Sequence, residues 1–218
     1  MKAIFLDIDG VIQPLWQQKR FKHMDEIEEM AKELDVKIPG HSYLDYVTKE
    51  KYPESKQDSY SRKCNLGAVC FDWSQKAIDY LKDILEKHNA MIVISSDWRD
   101  FGERTVRAFL AIYDLEKYFY GMLDGISYNP PTERQKKARD YFQSIKERAD
   151  SYDERSAYIR DYLDAHPEIT AYVAVDDREL GFPVAGHFVY CDDGVIDERK
   201  YLLMKDLIDI QDGPYPLE

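Results

Sequence analysis

With 218 residues, 44% of them hydrophobic and 33% charged, the chain has room for one α/β domain with its own core but not for two large ones. Its 30 Lys and Arg against 42 Asp and Glu give a net charge of −12, which opposes long-range approach to nucleic-acid backbones and anionic membranes. Apolar residues spread along the whole length exclude a fibrous or disordered chain, and no run approaches the roughly 18 apolar residues of a membrane span.

Ala3-Ile4-Phe5-Leu6 is a brief continuous apolar run stopped by Asp7, the pattern of a strand buried on both faces. It is too short for a signal-peptide core or a membrane anchor. From Trp16 to Leu34 the pattern turns helical, with Asp25 as a candidate N-cap, and a short helix is expected over 42–49. Residues 52–63, with Pro53 among polar side chains, read as an exposed loop. Ser74 caps a helix whose Ala77, Ile78, Leu81, Ile84 and Leu85 share one face, ending near Asn89.

Met91 to Ile94 forms a second buried strand, followed by Ser95-Ser96-Asp97 and a helix over about 102–113. Residues 118–127 are aromatic-rich and contain an Asp124-Gly125 turn, and 129–153 open with Pro130-Pro131 into a charged, partly helical excursion. Arg155 to His166 is helical by period and Pro167 ends it. Ala171 to Val175 is a third buried strand, stopped by Asp176-Asp177, then comes a fourth over 187–190 and a closing helix over 201–210. Strands alternating with amphipathic helices give an α/β fold, an open and mainly parallel sheet in three layers, whose ligand site forms beyond the carboxyl ends of the strands.

That edge is where the reactive residues collect. In Asp7-Ile8-Asp9 the carboxylates are two apart and face one side in extended backbone. Two acids in one pocket call for a cation, and a magnesium ion with oxygen ligands suits them. Taken alone, Asp9-Gly10 serves equally as a plain turn. Ser95 can bind a phosphate at the start of the next helix, although Ser96 or Asp97 could equally be caps there. Asp176 and Asp177, adjacent acids ending an apolar strand, are costly to bury without a partner or a metal. Arg99 reads as a brace for its helix, and the five histidines show no metal-ligand spacing.

Together these segments resemble the haloacid dehalogenase-like (HAD) phosphohydrolase superfamily. Asp7-Ile8-Asp9-Gly10-Val11 matches its first motif, Ser95 its second and Asp176-Asp177 its fourth. Ile94 to Arg99, of the form Ile-Ser-Ser-x-Trp-Arg, is similar to that of small bacterial HAD domains, some tied to RNA repair. The resemblance implies a Rossmann-like sheet and a magnesium-dependent phosphomonoesterase. It implies Asp7 as the nucleophile forming an aspartyl-phosphate, Asp9 as acid and base, and Ser95 as phosphoryl binder. Asp7, the Asp9 carbonyl and Asp176 or Asp177 would hold Mg2+. It requires a third-motif cation, for which Arg155 is the choice and Lys136 and Lys137 are rivals. Residues 12–72 are expected to form a small cap within a single domain, 1–218.

The substrate expected is a small phosphorylated compound. A nucleic-acid end phosphatase and a catalytically weak binding module are the alternatives, the first disfavoured by the net charge. Cys64, Cys70 and Cys191 cannot all pair within one chain and show no CxxC spacing, which points to a reducing cytoplasm.

Overall fold

The computed structural model describes residues 1–53, 55–123, 154–181, 184, 186–192 and 194–211. The sheet is parallel and five-stranded, in the order β3-β2-β1-β4-β5, with β1 Lys2–Leu6, β2 Ala90–Ile94, β3 Phe119–Met122, β4 Ala171–Asp176 and β5 Phe188–Tyr190. Ile4 pairs with Ile92 on one side and Val173 on the other, so the three apolar runs lie centrally and in step. That register sets Asp7, Ser95 and Asp176 at one edge: Asp7 N donates to Val175 O at 3.0 Å and Ser95 N donates to Leu6 O at 3.0 Å.

Alternation along β1 divides the core. Ile4 and Leu6 pack with α4 (Gln75–His88), α5 (Glu103–Ala111) and α7 (Glu198–Asp209), whereas Ala3 and Phe5 pack on the opposite face with Tyr158, Ile159 and Leu163 of α6 (Glu154–Ala165). α4 begins where Ser74 Oγ accepts from Ala77 N at 3.3 Å and ends at Asn89, whose φ of 49° gives a left-handed cap.

Between Gln13 and Ser74 the chain departs from the sheet. Ser74 N donates to Ile12 O at 2.7 Å, so the excursion leaves and returns at one point of the rim. It holds α1 (Ile27–Lys37), α2 (Tyr43–Thr48), α3 (Ser59–Gly67) and a π-helical turn, Ala68–Asp72. Its buried Ile27, Tyr43, Tyr46 and Leu66 share one apolar cluster with Ile4 and Leu6 of the sheet.

Two sequence expectations for this excursion change. The helix expected from Trp16 to Leu34 is broken into 3₁₀ turns at Lys19–Lys22 and Met24–Glu26, because His23 (φ −120°, ψ 14°) leaves helical geometry; Asp25 lies inside the second turn and caps nothing. The loop expected over 52–63 ends at Asp58, whose carboxylate accepts from Ser61 N at 2.7 Å and starts α3. Arg62 is fully buried there, donating to the carbonyls of Tyr46 (2.5 Å), Gln57 and Lys49. The Asp124-Gly125 turn, the 129–153 excursion, Lys136 and Lys137 lie outside the described residues.

Candidate active site

Asp7 is the first residue beyond β1, buried at 4% exposure. The chain then turns sharply: the amides of Val11, Ile12 and Gln13 converge on Ile8 O at 2.9–3.2 Å, with Ile8 buried beneath. Gly10 takes φ +72°, and a Cβ there would lie 2.5 Å from the Cβ of Asp177. Glycine is therefore required both by the left-handed backbone and by the close approach of the loop that follows β4.

This approach gathers the acids. Asp7, Asp176 and Asp177 each offer an oxygen within 4.8 Å of the others. Arg155, buried near the start of α6, lies across them: its Nη1 is 2.6 Å from Asp176 Oδ2 and 3.2 Å from Asp7 Oδ2, and its Nη2 is 3.6 Å from Asp97 Oδ1. Burial opposes the guanidinium charge, but Asp7 and Asp176 outweigh it and hold the pKa above its ordinary value. Burial and the neighbouring Asp7 push Asp176 up to about 7 despite the opposing pull of Arg155. Asp177 is raised by the same two causes. A set of hard carboxylate oxygens that repel one another in this way fits a magnesium ion, whose charge would relieve the repulsion.

The carboxylate of Asp9 is turned elsewhere. Gln13 Nε2 donates to Oδ1 at 2.6 Å and Trp98 Nε1 donates to Oδ2 at 2.9 Å, so both oxygens are fixed. Burial raises the Asp9 pKa, the Trp98 hydrogen bond lowers it and Asp7 raises it, for a net rise. Neither Gln13 nor Trp98 emerges from sequence reasoning as a partner of Asp9. Gln13 sits at i+4 on a turn rather than a helix, and Trp98 reaches Asp9 from 89 residues away.

Ser95 is 1% exposed, and its Oγ has no hydrogen-bond partner among the described residues. The cap of the following 3₁₀ turn is instead Ser96, whose Oγ accepts from Trp98 N at 3.4 Å. Arg99 donates to the carbonyls of Ser95 and Ser96 at 3.0 and 2.8 Å, bracing that turn from below. A buried hydroxyl free of local duty at the strand edge is equipped to take an anionic oxygen.

The central parallel sheet, with its Asp-x-Asp-Gly turn, its serine and its paired acids on successive strand ends, is that of the HAD-like phosphohydrolase superfamily. A family model described as the HAD domain in Swiss Army Knife RNA repair proteins matches residues 3–198, and the chain belongs to that family. Searches of curated proteins and of solved structures return no match. Among the described residues no helix is long and apolar enough to cross a membrane.

Proposed function

We propose that this protein is a magnesium-dependent phosphomonoesterase acting through an aspartyl-phosphate on Asp7. The observation that carries the reading is the convergence of Asp7, Asp176 and Asp177 within 4.8 Å, with the Arg155 guanidinium laid across them. Asp7, Asp176, Asp177 and the Asp9 carbonyl would hold the ion, which supplies positive charge against the acids and the phosphate.

The remaining work falls to the chain itself. Asp7 Oδ attacks phosphorus while the bond to the ester oxygen breaks, and Asp9, whose burial raises its pKa and so favours the acid form, gives its proton to that oxygen. The same carboxylate then takes a proton from the water that cleaves the aspartyl-phosphate. Ser95 Oγ donates to a phosphoryl oxygen, and Arg155 balances charge on Asp7 and the phosphoryl group. Residues 12–72 act as a cap that limits access, since both ends of the excursion meet at the rim. Free thiols at Cys64 and Cys70 suit a reducing cytoplasm.

Hydrolysis of p-nitrophenyl phosphate, assayed with magnesium and with EDTA, tests this reading. Asp7→Asn should lower kcat by roughly 1000-fold or more. A variant as active as the parent would exclude Asp7 as nucleophile. The family description favours a second reading of the substrate, a phosphorylated nucleic-acid end in place of a small metabolite.

A further inference from the structure

The strap that follows the Asp9 turn carries an arrangement the phosphatase chemistry does not use. Gln13 holds Asp9 at one end. At the other, Arg20 is fixed to Asp72, with Nη1 2.6 Å from Oδ2 and its backbone N–H 3.1 Å from Oδ1, close enough for its charge to lower the Asp9 pKa. Both ends of the strap are thus pinned beside the reacting acids. Trp16 is three residues along the chain from Gln13, so its backbone lies within about 11 Å of Gln13.

Trp16 is 62% exposed, yet its ring is held in place. A Cβ built on Gly194 would fall 1.9 Å from Trp16 Cη2, so the indole rests directly on the glycine backbone. Gly194 is tied to the same rim, because Ile196 N donates to Val11 O at 2.9 Å. Leu15 and Phe21 are 52% and 49% exposed, and the Arg20 guanidinium lies 5.0 Å from the Phe21 ring centroid. Lys19 and Lys22 are exposed, and neither has an ion pair among the described residues. A single exposed aromatic is ordinary. Two exposed aromatics beside two exposed lysines with no ion pair among the described residues, in a chain of net charge −12 and on a strap pinned at the catalytic rim, form a concentrated exception.

We propose that this strap is a platform for single-stranded RNA: Trp16 stacks a base near the end of an oligoribonucleotide whose terminal phosphate enters the Asp7 site. Lys19 and Lys22 meet the next backbone phosphates. The proposal rests on the phosphomonoesterase reading and names its substrate class. Stacking suits every base because each has a π-face, and nearby cations track the backbone without regard to sequence. The charge of −12 therefore does not bar nucleic acid, since acids more than about 10 Å away are screened, and the attraction of Lys19 and Lys22 for phosphate acts locally, against the nearer acids of the site and of Asp25 and Glu26.

The test uses the full chain with p-nitrophenyl phosphate, a mononucleotide, and five-residue oligoribonucleotides phosphorylated at the 5′ or the 3′ end. Trp16→Ala should cut kcat/KM for one of the oligonucleotides about tenfold, Trp16→Phe should retain most of it, and the p-nitrophenyl phosphate rate should stay within about twofold. The second readout needs no turnover. Asp7→Asn protein should bind a fluorescein-labelled oligoribonucleotide, and adding Trp16→Ala should weaken that binding about tenfold.

A wild-type protein that prefers neither oligonucleotide to the mononucleotide, or a Trp16→Ala protein that loses all substrates equally, would overturn the platform and leave the phosphatase reading intact. Absence of turnover on every substrate, with Trp16-dependent oligonucleotide binding retained, would instead overturn the phosphatase reading alone. Binding to anionic vesicles that depends on Trp16, with none to RNA, would assign the strap to a membrane surface and refute the proposal.

Discussion

Asp9 shows how much of this site depends on residues with no reactivity of their own. A carboxylic acid that must deliver a proton gains from having both oxygens fixed, and Gln13 and Trp98 each fix one. Replacing Trp98 by Phe keeps an aromatic ring among Trp73, Phe101 and Phe109 while deleting the N–H that reaches Asp9. Trp98→Phe should therefore slow turnover roughly tenfold, against roughly 100-fold or more for Asp9→Asn. The size of the loss should depend on the leaving group. A p-nitrophenolate departs with little help, whereas an alkoxide needs the proton, so an alkyl phosphate should suffer more than p-nitrophenyl phosphate. Equal losses on both would mean that Trp98 supports the fold of the 3₁₀ turn and not the acid.

At the scale of elements, β1, β2 and β4 were legible because each is a short apolar run ending in polar residues, and α4 because its cap and its apolar face agree, whereas β3, Phe-Tyr-Gly-Met at the sheet edge, read only as an aromatic-rich stretch because it has neither a continuous apolar run nor a clear alternation. The excursion was harder to read, since its helices are held by contacts with no local signature. Arg62 is the clearest case. Nothing in the polar stretch around it marks an arginine at 0% exposure whose guanidinium gathers the carbonyls of Tyr46 within α2 and of Lys49 and Gln57 after it. Arg62→Met would strand those carbonyls without a donor, at roughly 3 kcal/mol or more, and lower Tm by roughly 10 °C. Lysine should restore less than half of this, because one ammonium cannot span the three acceptors.

The junction of α6 and β4 offers a pH-dependent counterpart. The exposed Glu168 carboxylate accepts from Tyr120 of β3 and pairs with His166 at 2.9 Å. These hydrogen bonds, with Tyr120 first, lower its pKa to about 2 from an ordinary value of 4.5. Because the folded pKa is depressed, the contribution to stability is complete above about pH 4.5 and fades as the pH falls toward 2. Glu168→Gln should thus lower Tm at pH 7 by no more than about 3 °C, and thermal unfolding at successively lower pH should show the gap from wild type closing.

For the molecule as a whole, the sheet order brings together carboxylates from positions 7, 176 and 177, a guanidinium from 155 and a hydroxyl from 95. The acids and the serine could be read off strand ends, because a parallel sheet aligns those ends and nothing else is needed to place them. Arg155 stood out only by its position ahead of the β4 strand, since a guanidinium near the start of a charged helix looks the same whether it faces inward or outward. What repulsion among Asp7, Asp176 and Asp177 costs the metal-free fold should be returned when a divalent ion binds them, since a ligand held by the folded state alone stabilises it. At a magnesium concentration about ten times Kd the gain is about 1.4 kcal/mol, or about 4 °C in Tm for a chain of this size. With a net charge of −12, any added salt also stabilises by screening, so the comparison needs sodium chloride at matched ionic strength. Magnesium should raise Tm beyond that control in the wild type and not in Asp177→Asn. An equal rise with sodium would show that the ion acts on the overall charge and that the three carboxylates hold no metal.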